Sequence, residues 1–234
     1  ARPVIPFSLE EQQIIGLSLK VAATATLFSL PPGVALAYLL SRGDFPGKGL
    51  LSGLTHLPLI LPPVVTGYGL LLLFGRSGPL GAWLEPLGIV FAFDWTGAAL
   101  AAAIMGFPLL VRAVQLSFDL VDPRIERAAE TLGASPFIRF LTVTLPLALP
   151  GLAAGTVLAF AKALGEFGAT ITFVANIPGE TRTLPLAIYS LTQAPGGEAA
   201  ALRLVLISIG VSITALLISE WGARVAAQRI GATR

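Results

Sequence analysis

ERAAETLGASPFIRF, Glu126 to Phe140, is a polar island between long apolar runs. Its fifteen residues hold two glutamates, two arginines, a glycine and a proline. Just upstream, Asp122 can cap a helix whose first position is Pro123, a residue that needs no amide hydrogen there. The helix then carries Ile125, Ala128, Ala129 and Leu132 on one stripe, with Glu126, Arg127 and Glu130 on the other. Gly133 supplies the left-handed residue that ends many helices. Ser135 and Pro136 restart a second helix by the same capping logic. The expected product is a short amphipathic helix, a sharp turn, and a longer helix running into apolar sequence. The stripe is small and lacks the tryptophan or phenylalanine anchors of a helix resting on lipid. Its alanines allow close approach, so a docking helix for a soluble partner is the better reading.

The surroundings of this island set the solvent. The chain has 234 residues, 55% hydrophobic and 12% charged, with a mean hydropathy of +0.83. That is too little charge to cover a water-soluble domain. The net charge of +2 gives no basis for nucleic-acid binding. There is no cysteine and one histidine, His56, so neither thiolate nor histidine metal sites are expected. Five stretches reach the roughly 20 apolar residues that a membrane helix needs: about 14–40, 50–74, 97–118, 141–165 and 202–222. A shorter patch, GATITFVANIPG, is broken by Asn176, Pro178 and Gly179 and is read as a re-entrant or external segment. No cleavable signal peptide is expected, since the first apolar run is long and lacks a basic leader. A sixth span is left open because the first residue is alanine. The reading is one all-α polytopic membrane domain over residues 1–234, without internal repeat.

Lysine and arginine set the orientation. With the N-terminus outside, Arg42, Lys48, Arg112, Arg124, Arg127, Arg139, Arg224, Arg229 and Arg234 fall on the cytoplasmic side. Arg2, Lys20, Arg76, Lys162, Arg182 and Arg203 fall outside, nine against six. Every charge beyond Glu220 is basic, which strengthens a cytoplasmic C-terminus. The polar helix then lies in the cytoplasm.

The run from Glu126 resembles the cytoplasmic EAA loop of permease subunits in bacterial ATP-binding-cassette importers. Ala128, Ala129, Gly133, Leu145 and Pro146 stand at the spacings of that motif. Arg127 occupies the place of the motif's glutamate, with Glu126 one residue earlier. Three further blocks, FSLPPGVALAYLLSRGDFPGKGLL, HLPLILPPVVTGY and ALGEFGATITFVANIPGETRTLPLAIY, are similar to molybdate permease subunits, with sulfate/thiosulfate permeases as close relatives. The resemblance implies a type I (MetI-like) importer bundle of about five membrane helices, or six with a further one, in the cell (inner or plasma) membrane. It implies a cytoplasmic coupling helix formed by Glu126, Arg127, Ala128, Ala129, Glu130, Gly133, Pro136 and Pro146. The implied partners are a second copy of the chain, two ATPase subunits carrying ATP and magnesium, an external molybdate-binding protein and membrane lipid. No cofactor is expected in the chain itself.

No residue is expected to be catalytic. GDFPGKG, Gly43 to Gly49, is one residue short of a phosphate loop and ends in glycine where a magnesium-binding hydroxyl belongs, so it reads as a tight turn between spans. Pro31, Pro32, Pro62, Pro63, Pro108, Pro146 and Pro150 favour kinks. Pro62, Pro63 and Thr66 combine bending with a hydroxyl and are pore-side candidates. Gly151 to Gly155, GLAAG, is a small-residue motif that allows close helix approach within the bundle or across a dimer, with packing inside the subunit the simpler reading. Lys20 and Arg112 read as anchors near helix ends. Lys162 and Glu166 lie four apart on one helical face and can pair. They and Thr170 are the remaining pore-side candidates, with the structural ion pair the simpler reading. A transported tetrahedral dianion needs weak, transient contacts. An intramembrane enzyme would need clustered acid, base or nucleophile, which these scattered carboxylates do not supply. A passive channel would not need a docking helix.

Overall fold

Ser8 opens the first helix with a reciprocal cap. Its hydroxyl accepts from the Glu11 amide at 3.1 Å, and the Glu11 carboxylate accepts from the Ser8 amide at 2.8 Å. The resulting α1, Leu9–Arg42, is 34 residues long, about 50 Å at 1.5 Å per residue. A hydrocarbon core is about 30 Å thick, so α1 projects beyond it. A computed structural model describes residues 8–231, with side chains described through Ile218. Arg2, Arg224, Arg229 and Arg234, which bear on orientation, lie outside the described side chains.

The order continues with α2 (Lys48–Ile60), α3 (Pro63–Phe74), α4 (Pro79–Leu84), α5 (Trp95–Asp119), α6 (Pro123–Thr131) and α7 (Pro136–Arg139). A π-helical turn, Phe140–Thr144, joins α7 to α8 (Leu145–Leu164), followed by α9 (Gly168–Val174), α10 (Leu184–Gln193) and α11 (Glu198–Gly231). Four of these stretches are long and apolar enough to cross a membrane: α1, α5, Pro136–Leu164 and Glu198–Ile218. The fifth expected span, 50–74, is two helices, α2 and α3, bent by 111°. Pro62 and Pro63 end one ladder and start the next, because neither offers an amide hydrogen. GDFPGKG is the turn between α1 and α2, with Gly47 at φ 90° and the Lys48 ammonium donating to the Gly43 carbonyl at 2.9 Å.

The central helix is α5, buried among α1, α8 and α9 through Ala98, Ala99, Ala101, Ala102 and Met105. Its other half packs Leu110, Val111, Val114 and Phe118 against Ala37 and Leu40 of α1 and Ala148 and Ala159 of α8. The small residues of α8 sit on this helix. A Cβ on Gly151 would meet Ser117 at 2.2 Å, and one on Gly155 would meet the Leu110 carbonyl at 3.1 Å. GLAAG is thus spent on packing inside the subunit. At the α6 end of the bundle, Tyr38, Phe118 and Phe140 form an aromatic cluster with ring centroids 4.9 to 6.1 Å apart.

The first seven residues of GATITFVANIPG, Gly168–Val174, form α9, which rises only about 10 Å. It lies alongside α3. Gly168 abuts Pro63 and Gly67 abuts Ala169, while the Phe173 and Phe74 rings lie 6.5 Å apart. Start meets start and end meets end, so the two half-helices run parallel. A Cβ on Gly67 would fall 2.4 Å from the Ala169 carbonyl oxygen, an atom fixed in a helix. Gly67→Val is therefore expected to cost about 1–3 kcal/mol, the usual range for overpacking, seen as a lower thermal midpoint in detergent. Gly69→Val, where nothing lies within 4 Å, is the control and should leave the midpoint unchanged.

Candidate functional site

The polar helix is built by local signals at both ends. The Asp122 side chain accepts from the Arg124 amide at 2.8 Å, ahead of Pro123. At the other end Gly133 takes φ 87°, its amide donates to Glu130 and the Ala134 amide donates to Ala129. This paired closure needs a left-handed residue. Ser135 then caps α7, accepting from the Ile138 amide.

Pro146 shapes the entry into α8. It lacks the amide that would bond Thr142, and its ring crowds that carbonyl. The chain widens into the π turn, and the Leu145 amide reaches back five residues to Phe140. The extra residue rotates Thr144 toward α6, where its hydroxyl donates to Glu126 Oε1 at 2.7 Å. π turns of this kind recur at functional sites.

Glu126 faces inward, 8% exposed. Arg42, the last residue of α1, donates through Nε to Glu126 Oε2 at 3.1 Å and through Nη2 to Oε1 at 3.3 Å. Its Nη2 also donates to the Val121 carbonyl at 3.0 Å. One carboxylate thus ties α6 to α1 and to the π turn. The arginine sits at a helix C-terminus and the glutamate in a first turn, both favoured by the helix dipoles. Sequence reasoning grouped Glu126 with Arg127 and Glu130 on one polar face; burial separates it from them. Arg42 and Thr144 were not singled out. The only signal was the Leu-Pro pair, which places Thr144 two residues before the proline.

The opposite face of α6 is open. Ile125 is 44% and Leu132 88% exposed, and Ala128 is exposed between them. Arg124 and Arg127 flank this stripe, exposed and without a side-chain partner among the described residues. Glu130 pairs with Arg139 at 2.8 Å. Phe137, 69% exposed, and Pro136 extend the surface past the Gly133 turn.

The expected pore-side residues divide. Pro62 and Pro63 are exposed at the α2–α3 bend, and the Thr66 hydroxyl is enclosed without a hydrogen-bond partner among the described residues. Glu166 and Thr170 are enclosed within the subunit. The Glu166 carboxylate is 1% exposed, held by Lys162 at 2.6 Å and by the Ala169 amide at 3.0 Å. Thr170 is 1% exposed, its hydroxyl donating to the Phe167 carbonyl at 2.8 Å. Glu166 therefore caps α9 and neutralises Lys162 inside the subunit. Lys20 is anchored as well, its ammonium 3.4 Å from the centre of the Trp95 ring.

At the far end, Glu10 and Glu11 bind Arg182 and Arg203 at 3.0 and 3.1 Å. Arg182 also donates to Asn176. These contacts fix the overhanging start of α1 to the loop after α9 and to α11. None of these four charges was read as paired from sequence, since the partners lie far apart along the chain.

Residues 29–230 match the family model described as binding-protein-dependent transport system inner membrane component. The chain is 59% identical over 222 residues to the molybdenum transport system permease protein ModB of Escherichia coli strain K12, covering 94% of this chain and 97% of that protein. It is 40% identical over 177 residues to the sulfate transport system permease protein CysT of the same organism, covering 76% and 64%. Among solved structures, a bacterial ABC transporter involved in the import of alginate superposes with a TM-score of 0.73 at 17% identity, covering 95% of this chain and 85% of that one.

Proposed function

The chain belongs to the family of binding-protein-dependent transport system inner membrane components, and from that premise we propose that it is the permease subunit of an ATP-driven molybdate importer. The open stripe of α6 is the observation that carries the reading. A multi-pass membrane protein presents Ile125, Ala128 and Leu132 to water, flanked by two arginines that have no side-chain partner among the described residues. Such a surface fits an apolar groove with an acidic rim on a soluble subunit. The long, nearly full-length identity to a molybdenum permease, against a shorter and lower match to a sulfate permease, supports molybdate, with tungstate as its close analogue.

In this reading two copies of the chain enclose the path, and two ATPase subunits, which hold ATP and magnesium, seat beneath them. The α6 end faces the cytoplasm and the start of α1 faces outside, where a binding protein delivers the anion. ATP binding draws the ATPases together and displaces the two α6 helices. The bundles then swing between outward and inward openings. Pro62, Pro63 and Thr66 remain the pore-side candidates, at a bend beside two parallel half-helices. Glu166 and Thr170 are enclosed and serve to hold α9. A path of neutral groups suits a dianion that must be released.

The test is uptake by vesicles holding the permease, its ATPase and its binding protein. Molybdate is expected to enter only with ATP, and tungstate to compete with it at equal concentration. Sulfate outcompeting molybdate would overturn the substrate. No ATP-dependent uptake of any of the three anions would overturn the class.

A further inference from the structure

A docking loop is expected to turn its charges toward its partner. The most enclosed charge of α6 points the other way. Glu126 is 8% exposed and its two oxygens are filled by Arg42 Nε and Nη2 and by the Thr144 hydroxyl, at 2.7 to 3.3 Å. Arg42 is the final residue of α1 and Thr144 the final residue of the π turn that leads into α8. Arg42 and Thr144 lie 84 and 18 residues from Glu126 in sequence, yet share its one carboxylate. We infer that Arg42, Glu126 and Thr144 form a rigid joint that carries displacement of α6 into α1 and α8, and that Glu126 does not contact the ATPase subunit.

Three physical points support the assignment. The joint is short and charge-assisted, so it transmits a push with little slack. The carboxylate is largely enclosed, its side chain 11% exposed, so water competes with it little. It also links α6 to the two helices that pack on central α5, whereas the intervening segments at Gly133–Ala134 and at Val121–Asp122 are turns. Arg42 Nη2 fixes one of those turns as well, through the Val121 carbonyl. Without the joint, α6 would be held through these two turns and the pair that the exposed Glu130 makes with Arg139, and its displacement would pass less directly to α1 and α8. The inference rests on the permease reading and deepens it.

A structural pair and a transmitting joint are separated by removing the charges singly and together. Arg42→Gln leaves the Glu126 carboxylate, 11% exposed, without its cation and is strongly destabilising. Glu126→Gln leaves Arg42, 21% exposed and still bonded to the Val121 carbonyl, and costs less. Removing both leaves no enclosed charge alone. In the reconstituted complex, each single variant is expected to lower the thermal midpoint and to cut oxyanion uptake per ATP hydrolysed at least fivefold. The double variant is expected to recover the midpoint toward wild type while uptake per ATP stays at least fivefold down. Thr144→Val should lower the same ratio, and Thr144→Ser, which keeps the hydroxyl, should restore it. Glu126→Gln is expected to co-purify with the ATPase subunit at wild-type stoichiometry. Recovery of uptake per ATP along with the midpoint would overturn the joint, and so would loss of the ATPase subunit from Glu126→Gln. A wild-type complex that moves no oxyanion would instead overturn the permease reading, so the two failures are distinct.

Discussion

Leu132→Asp is expected to release the ATPase subunit from the permease. Leu132 is the C-cap that follows α6, 88% exposed, directly before the Gly133 turn. An apolar side chain held so far into water contributes little to the fold, and burying it fully against a partner contributes about 1.5–3 kcal/mol. Aspartate loses that contribution and adds the cost of desolvating a carboxylate in the same groove. A loss of about 3 kcal/mol is roughly a hundredfold in affinity, so co-purification should fall from stoichiometric to trace. The midpoint of the permease alone should stay within about 0.5 kcal/mol of wild type, as for other exposed substitutions away from packing. Glu130→Gln makes the comparison: the glutamate of its pair with Arg139 is 64% exposed and the arginine 20%, and a half-exposed pair contributes on the order of 1 kcal/mol. Wild-type recovery of the ATPase with Leu132→Asp would mean that α6 is not the docking face.

The contrast between Leu132 and Glu126 shows how far the sequence could be read. The ends of α6 follow from Asp122, Pro123, Gly133, Ser135 and Pro136, each acting on its own neighbours, so the element was legible in a single pass. Lys162 and Glu166 are four apart, and one helical turn brings them together at 2.6 Å. Which face of α6 turns inward depends on Arg42, 84 residues away, and no local periodicity contains that. Thr144 was hidden for a different reason. Its direction is set by an extra residue in the ladder, and a 3.6-residue pattern carried through the Leu-Pro pair points it elsewhere. The same limit explains the second span. Pro62 and Pro63 announce a break, but the 111° bend is fixed by α3 lying against α9 through Gly67 and Ala169.

This bend gives the bundle two short helices, α3 and α9, side by side and parallel, and the charge that secures them is enclosed. Lys162→Met is expected to be the most destabilising single change in this region, by about 3–5 kcal/mol, the usual result of stripping one partner from a buried ion pair. The Glu166 carboxylate is 1% exposed. Without the ammonium at 2.6 Å, its remaining polar partner is the Ala169 amide. Glu166→Gln should cost much less, for two reasons. Lys162 is 30% exposed and can turn its ammonium toward water. The glutamine carbonyl can also still accept from Ala169 and keep the start of α9. The double variant Lys162→Met and Glu166→Gln should recover much of the loss, because no enclosed charge is left alone. Thermal midpoints of the four proteins in one detergent test this order. If Lys162 served instead to attract the anion, Lys162→Met would leave the midpoint unchanged and raise only the KM for uptake. The enclosed carboxylate beside it favours the first outcome: a cation already neutralised at 2.6 Å offers little field to an anion, and much to the helix it holds in place.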